Sequence, residues 1–201
     1  MPTNRRFRSL FVQSSSAIFD DASHFPWTMG FFASLRTEAS AYAKYILQTR
    51  PDARIGVLYA EDEAAREFVA GLRDGLGDKA PATIVKEAPF RYSEPYKFDA
   101  QVESLQEAGA DVFFNFTVGR SASRAIRKAY DIGWRPTQFI PNASLSVASF
   151  LDSAGLEKAV GIISNARSKG WASAPSRRDP AVAEFLAWMR SCHPMGTCAT
   201  G

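Results

Sequence analysis

Two histidines, two cysteines and two runs of adjacent acids are the places where this 201-residue chain could carry reactive chemistry. His193 follows Cys192 in the run CHPMGTC, and Cys198 closes it, giving three soft ligands. A closed zinc site takes four, spaced to complete a tetrahedron, so no metal is expected there. His24 precedes Phe25-Pro26-Trp27 and reads as a surface loop residue, not as the base of a nucleophilic triad. Asp20-Asp21 and Glu61-Asp62-Glu63 pair carboxylates as acid–base catalysis would require. The second run, however, falls where a helix begins, and acids there complement the helix dipole without reacting. Nucleotide binding needs a glycine-rich turn between a strand and a helix. The turn after RIGVLYA is acidic and glycine-free, the one after DVFFNF has Gly119 alone, and GLGDKA sits at a helix end. No cofactor is therefore expected and no residue set asks for an enzyme. A nucleotide-dependent α/β enzyme stands as the alternative from a different class.

Small polar residues at the ends of apolar runs are a better lead. Ser14, Ser15 and Ser16 follow SLFVQ; Asn115 and Thr117 close DVFFNF; Asn142 and Ser144 follow TQFIP. Unpaired amides at a helix start hold a carboxylate, and hydroxyls or side-chain amides add neutral hydrogen bonds. The same residue types cap helices, so each cluster alone is ambiguous. Three clusters at equivalent positions point to a small-molecule cleft.

Those positions are equivalent because strand-like and helix-like segments alternate from about residue 37. TEASAYAKYILQTR reads as a helix capped by Thr37 with Ala41, Tyr45 and Ile46 inward. RIGVLYA follows as a buried strand, and DEAAREFVAGLRDGLG as a helix with Ala65, Phe68, Val69 and Leu72 inward and Gly77 as its cap. ATIVKEA, DVFFNF, TQFIP and VGIISNA read as strands. DAQVESLQEAG reads as a helix with Val102 and Leu105 inward, and SASRAIRKAYDIG as one with Ala122, Ala125, Ile126 and Ala129 inward. Past the polar segment RSKGWASAPSRRD, PAVAEFLAWMR reads as a last helix with Pro180 in its first turn. Short connections between alternating elements predict an α/β fold with a doubly wound parallel sheet. SLFVQSSS and HFPWTMGF read as two extended segments without helices of their own, leftovers of a second sheet.

Composition narrows the function classes. The chain is 46% hydrophobic and 22% charged, which permits a sizeable core. Its net charge of +3 is spread among interleaved acids and bases, with no basic stripe bearing aromatics, so nucleic acid is not an expected partner. No run approaches the roughly 18 apolar residues of a membrane span, so membrane insertion is not expected either. MPTNRRFRSLFVQSSS has a basic start without a continuous apolar stretch, and no signal peptide is expected in this chain.

FPWTMGF, AYAKYIL, ARIGVLY, GLRDGLGD, GADVFFNF, AIRKAYDIGW, QFIPNAS and AGLEKAVGIIS together, in order over about residues 9–194, resemble periplasmic substrate-binding proteins of ABC transporters of the leucine/isoleucine/valine type. The resemblance implies a type I periplasmic-binding-protein fold, two α/β lobes joined by hinge strands with the ligand clamped between them. It implies residues 1–32 as a remnant of the first lobe and a hinge crossing, and 33–160 as the ligand-binding lobe. Residues 161–194 would then be the return crossing and a helix of the first lobe, and 195–201 a divergent tail. On this basis the chain is expected to be a fragment truncated at both ends, with its export signal missing. The implied function is solute binding for an ABC transporter permease in the periplasm, without catalysis. A cytosolic ligand sensor of the same fold is the alternative. Ser14, Ser15 and Ser16 match the stretch that binds an amino-acid carboxylate in that family, and Asn115, Thr117, Asn142 and Ser144 match pocket positions. Ala64-Ala65 replaces the family's aromatic-glycine pair, and the family's ammonium-binding acid is not matched. The family's own ligand class is a branched-chain amino acid, and these departures imply an amide, an aromatic or a related carboxylate beside it.

Overall fold

The computed structural model describes residues 8–91, 98–146, 151–166 and 176–192. His193, Cys198, the tail at 195–201 and most of the polar segment after Ala166 lie outside the described residues.

Four parallel strands, β3 (Ile55–Ala60), β4 (Ile84–Phe90), β5 (Val112–Phe116) and β6 (Thr137–Phe139), form a sheet in the order β4-β3-β5-β6. Every residue of β5 is buried, and β3 nearly so, as expected for central strands covered on both faces. Alternate side chains divide between two cores. Val57 and Phe114 face helices α1 (Leu35–Thr49) and α2 (Glu63–Leu76), where Ile46, Phe68 and Leu72 complete the packing. Leu58 and Phe113 face α4 (Asp99–Glu107) and α5 (Arg120–Asp131), with Val102, Leu105, Ala125 and Trp134. The one-turn helix α3 (Ala80–Thr83) precedes β4, so that strand starts two residues later than ATIVKEA predicts. The expected doubly wound architecture is present.

Helices α1 and α2 touch almost backbone to backbone. A Cβ at Gly71 would overlap the Arg36 carbonyl oxygen, and one at Gly75 would lie 2.6 Å from that of Ser40. Glycine is what lets the two helices cross this closely.

Three sequence expectations are corrected. Helix α1 is capped by Ser34, whose Oγ accepts from Thr37 N at 3.3 Å, and Thr37 lies in its first turn. Its inward face is Ala39, Tyr42, Ala43 and Ile46, with Ala41 and Tyr45 outside. Of the two tyrosines, Tyr42 is the one whose hydroxyl finds buried partners, so its ring can go in. VGIISNA forms no strand. A single bridge pairs Phe139 with Ile163, because Gly161 turns the chain at φ +86° and Pro141 ends the run of donors in β6.

The early segments form a separate two-stranded parallel sheet, β1 (Ser9–Val12) and β2 (Thr28–Gly30). Leu10, Phe11, Met29 and Phe31 on and beside it are about half exposed or more. The pairing slips between Ser9 and Val12, and Phe11 adopts φ +59°. The one-turn helix α6 (Asp152–Ala154) and helix α7 (Pro180–Cys192) follow, and α7 leaves Phe185 and Trp188 exposed.

Candidate functional site

Ser14, Ser15 and Ser16 leave β1 and turn against the first two turns of α2. The Asp62 carboxylate caps that helix by accepting from Ala65 N at 2.8 Å. Ser16 N donates to Ser14 Oγ at 3.2 Å, and Leu35 N donates to the Ser15 carbonyl at 2.8 Å. The Ser16 hydroxyl donates to Glu67 Oε1 at 3.0 Å, and Ala17 N reaches both Glu67 oxygens at 3.2 and 3.0 Å. A cleft of about 460 Å³ opens here, lined by the three serines, Leu35, Asp62, Glu63, Ala64 and Glu67. One wall offers hydroxyls and a backbone amide, and the other offers carboxylates.

Asn115, Thr117, Asn142 and Ser144 lie outside that lining, at the carboxyl ends of β5 and β6. Asn115 and Thr117 are buried and bonded to each other, the Thr117 hydroxyl donating to Asn115 Oδ1 at 2.6 Å. Asn115 Nδ2 donates to the Ala122 carbonyl at 3.2 Å, and the buried Ser144 hydroxyl donates to the Thr117 carbonyl at 2.8 Å. These three residues knit the loop after β5 to the start of α5 and to the loop after β6. Gly119, at φ +61°, supplies the turn between them.

Asn142 belongs to a second network. Its backbone N–H donates to the buried Glu38 carboxylate at 2.8 Å, and its Nδ2 to the Asn165 carbonyl at 2.8 Å. The Tyr42 hydroxyl donates to the same Glu38 oxygen at 3.0 Å and accepts from Asn165 N at 2.8 Å. Burial, and then the nearby Glu38 charge, push the Tyr42 phenol well above the ordinary tyrosine range. The network ties α1, the loop after β6 and the outgoing chain at Asn165 into one unit.

The other chemically suggestive residues have simpler roles. Asp21 sits on an exposed turn, its pKa lowered to about 2, chiefly by the Ser23 hydroxyl and then by His24. His24 Nδ1 lies 2.6 Å from the same carboxylate, so this pair organises the turn. Among the described residues, no group of three or more histidine, cysteine or acidic side chains could hold a metal ion. From the sequence, Glu61-Asp62-Glu63 are explained by the helix dipole and Glu67 has no expected role. Their place opposite the serines comes from strand β1, fifty residues away in the chain, and local patterning carries no signal for it.

A model of the periplasmic binding protein family matches residues 4–196. No curated protein matches the chain significantly. Among solved structures it is similar to a possible leucine/isoleucine/valine-binding protein from Rhodopirellula baltica SH 1, with 16% identity and a TM-score of 0.68 over 94% of this chain and 50% of that one. It is similar to a substrate-binding periplasmic protein from Ralstonia solanacearum, with 21% identity and a TM-score of 0.71 over 90% and 48%. A solute-binding protein of an ABC transporter from R. palustris, in complex with benzoate, gives 13% identity and a TM-score of 0.71 over 94% and 49%. The chain thus spans about half the length of these structures. At such identities the likeness speaks for the fold.

Proposed function

Because this chain belongs to the periplasmic binding protein family, we propose that it serves as part of a solute-binding component of an ABC transporter, capturing a small amino-acid-like ligand in the periplasm. In this assignment residues 33–160 are the ligand-binding lobe. Residues 1–32 are a remnant of the first lobe and a hinge crossing, residues 161–194 are the return crossing and a helix of the first lobe, and a permease is the receiving partner. The observation that carries the ligand class is the convergence of the Ser16 hydroxyl and the Ala17 amide on a carboxylate. That donor set suits a ligand carboxylate without placing a fixed positive charge in the cleft. Asp62, Glu63 and Glu67 on the opposite wall suit an ammonium group. A zwitterion satisfies both walls, whereas a simple anion meets the acids unpaired. Asn115, Thr117, Asn142 and Ser144 are assigned to the ligand-binding lobe as the residues that fix the loops after β5 and β6. Hinge closure follows from contacts that form only when both walls grip the ligand.

Calorimetric titration with L-leucine, L-leucinamide and 4-methylpentanoate tests this. The first ligand carries both charges, the second only the ammonium, and the third only the carboxylate. L-Leucine is expected to bind at least about tenfold tighter than either, a difference of about 1.4 kcal/mol. Equal affinity for 4-methylpentanoate would reject recognition of the ammonium, and equal affinity for L-leucinamide would reject the serine assignment.

A further inference from the structure

Glu67 already occupies the donors assigned to the ligand. Its carboxylate accepts from Ser16 Oγ at 3.0 Å and from Ala17 N at 3.0 and 3.2 Å, so the turn is bonded as if an anion had arrived. Each of these groups has one hydrogen to donate. An incoming carboxylate can therefore use them only after Glu67 leaves. The backbone of Glu67 cannot withdraw far, because Phe68 and Val69 beside it are buried in the core. Only the side chain can swing, and it remains at the cleft, one helical turn from Glu63.

Resting on the ligand assignment made above, we propose that Glu67 is an internal stand-in for the ligand carboxylate and that it sets selectivity for zwitterions over simple anions. In the empty cleft, Glu67 satisfies Ser16 and Ala17. When a zwitterion binds, its carboxylate takes over those donors, and its ammonium pairs with the released Glu67. A monocarboxylate needs the same donors but, on displacing Glu67, leaves two like charges facing each other in a partly desolvated cleft, which disfavours it. Glu67 thus discriminates through the repulsion it creates against the wrong ligand.

The test compares the unsubstituted protein with Glu67→Gln and Ser16→Ala, titrating each with L-leucine and with 4-methylpentanoate. Glu67→Gln keeps the shape of the side chain and removes the charge. It is expected to tighten 4-methylpentanoate by about tenfold or more while tightening L-leucine less, so the ratio of the two affinities collapses. Hydrogen exchange at the Ala17 amide in the unliganded protein gives a readout independent of binding. The amide is expected to exchange several-fold faster in Glu67→Ala than in the unsubstituted chain. An unchanged affinity ratio in Glu67→Gln, together with weaker binding of both probes by Ser16→Ala, overturns the stand-in role and leaves the serine site intact. If Ser16→Ala changes neither affinity, the serine site is wrong and the stand-in role falls with it. Unchanged exchange at Ala17 in Glu67→Ala also overturns the proposal.

Discussion

Tyr42 shows how one side chain decides the orientation of a whole helix. Its ring packs against both Phe114 and Phe139, at centroid distances of 6.1 and 5.4 Å, while its hydroxyl donates to Glu38 and accepts from Asn165 N. Burial disfavours an ionised phenol there, and the charge of nearby Glu38 adds to the penalty, so its pKa is raised. Folding therefore favours the neutral form. The stability this contributes is fully present below the ordinary tyrosine pKa of about 10, and it is lost as pH rises toward the raised folded value. Tyr42→Phe is expected to lower stability by about 1–3 kcal/mol at neutral pH, because Glu38 and Asn165 N each lose a partner. Urea denaturation should also show a shallower loss of stability above about pH 10 in the variant. An unchanged midpoint at neutral pH would mean that water replaces the hydroxyl without penalty. Sequence periodicity placed Tyr45 inward because a helical stripe through Ile46 can be drawn with either tyrosine. The choice is made by Glu38, one helical turn earlier, and by Asn165, over a hundred residues downstream and outside any local window.

At the scale of elements, the crossing of α1 over α2 makes the sharpest prediction. Gly71→Ala would drive a methyl group into the Arg36 carbonyl, a backbone atom that cannot rotate away. Overpacking of this kind typically destabilises by about 1–3 kcal/mol. A drop in Tm of several degrees is expected by calorimetry, whereas an increase would show that the alanine's better helix propensity outweighs the clash. Elements with a strong period of their own are legible in the sequence. The inward faces of α2, α4 and α5, the strands β3 and β5 and the Gly77 cap follow from 3.6-residue and two-residue periods and from turn chemistry. The run at 160–166 has strand-forming residues, yet a strand needs a neighbour long enough to pair with, and β6 offers three residues. The seven polar residues predicted as a site were visible as types. That three of them line a cleft with Glu67, while Asn115, Thr117 and Ser144 bond to one another or to neighbouring backbone, depends on tertiary distances the pattern does not encode.

For the whole molecule, the contrast between the two sheets matters most. The four-stranded sheet is covered on both faces, whereas the β1–β2 pair exposes Leu10, Phe11 and Met29. A lone two-stranded sheet is marginal in water. Amide exchange is expected to be at least about a hundredfold faster in β1 and β2 than in β3 and β5, measured by mass spectrometry on the unliganded chain. Equal protection would mean that the small sheet is stabilised as firmly as the large one. The backbone bond from Leu35 N to the Ser15 carbonyl has a mechanical corollary. It fastens the serine turn to the head of α1, and the glycine crossing welds α1 to α2. A tug on that turn is thus passed to both helices together, through one backbone bond and one close crossing.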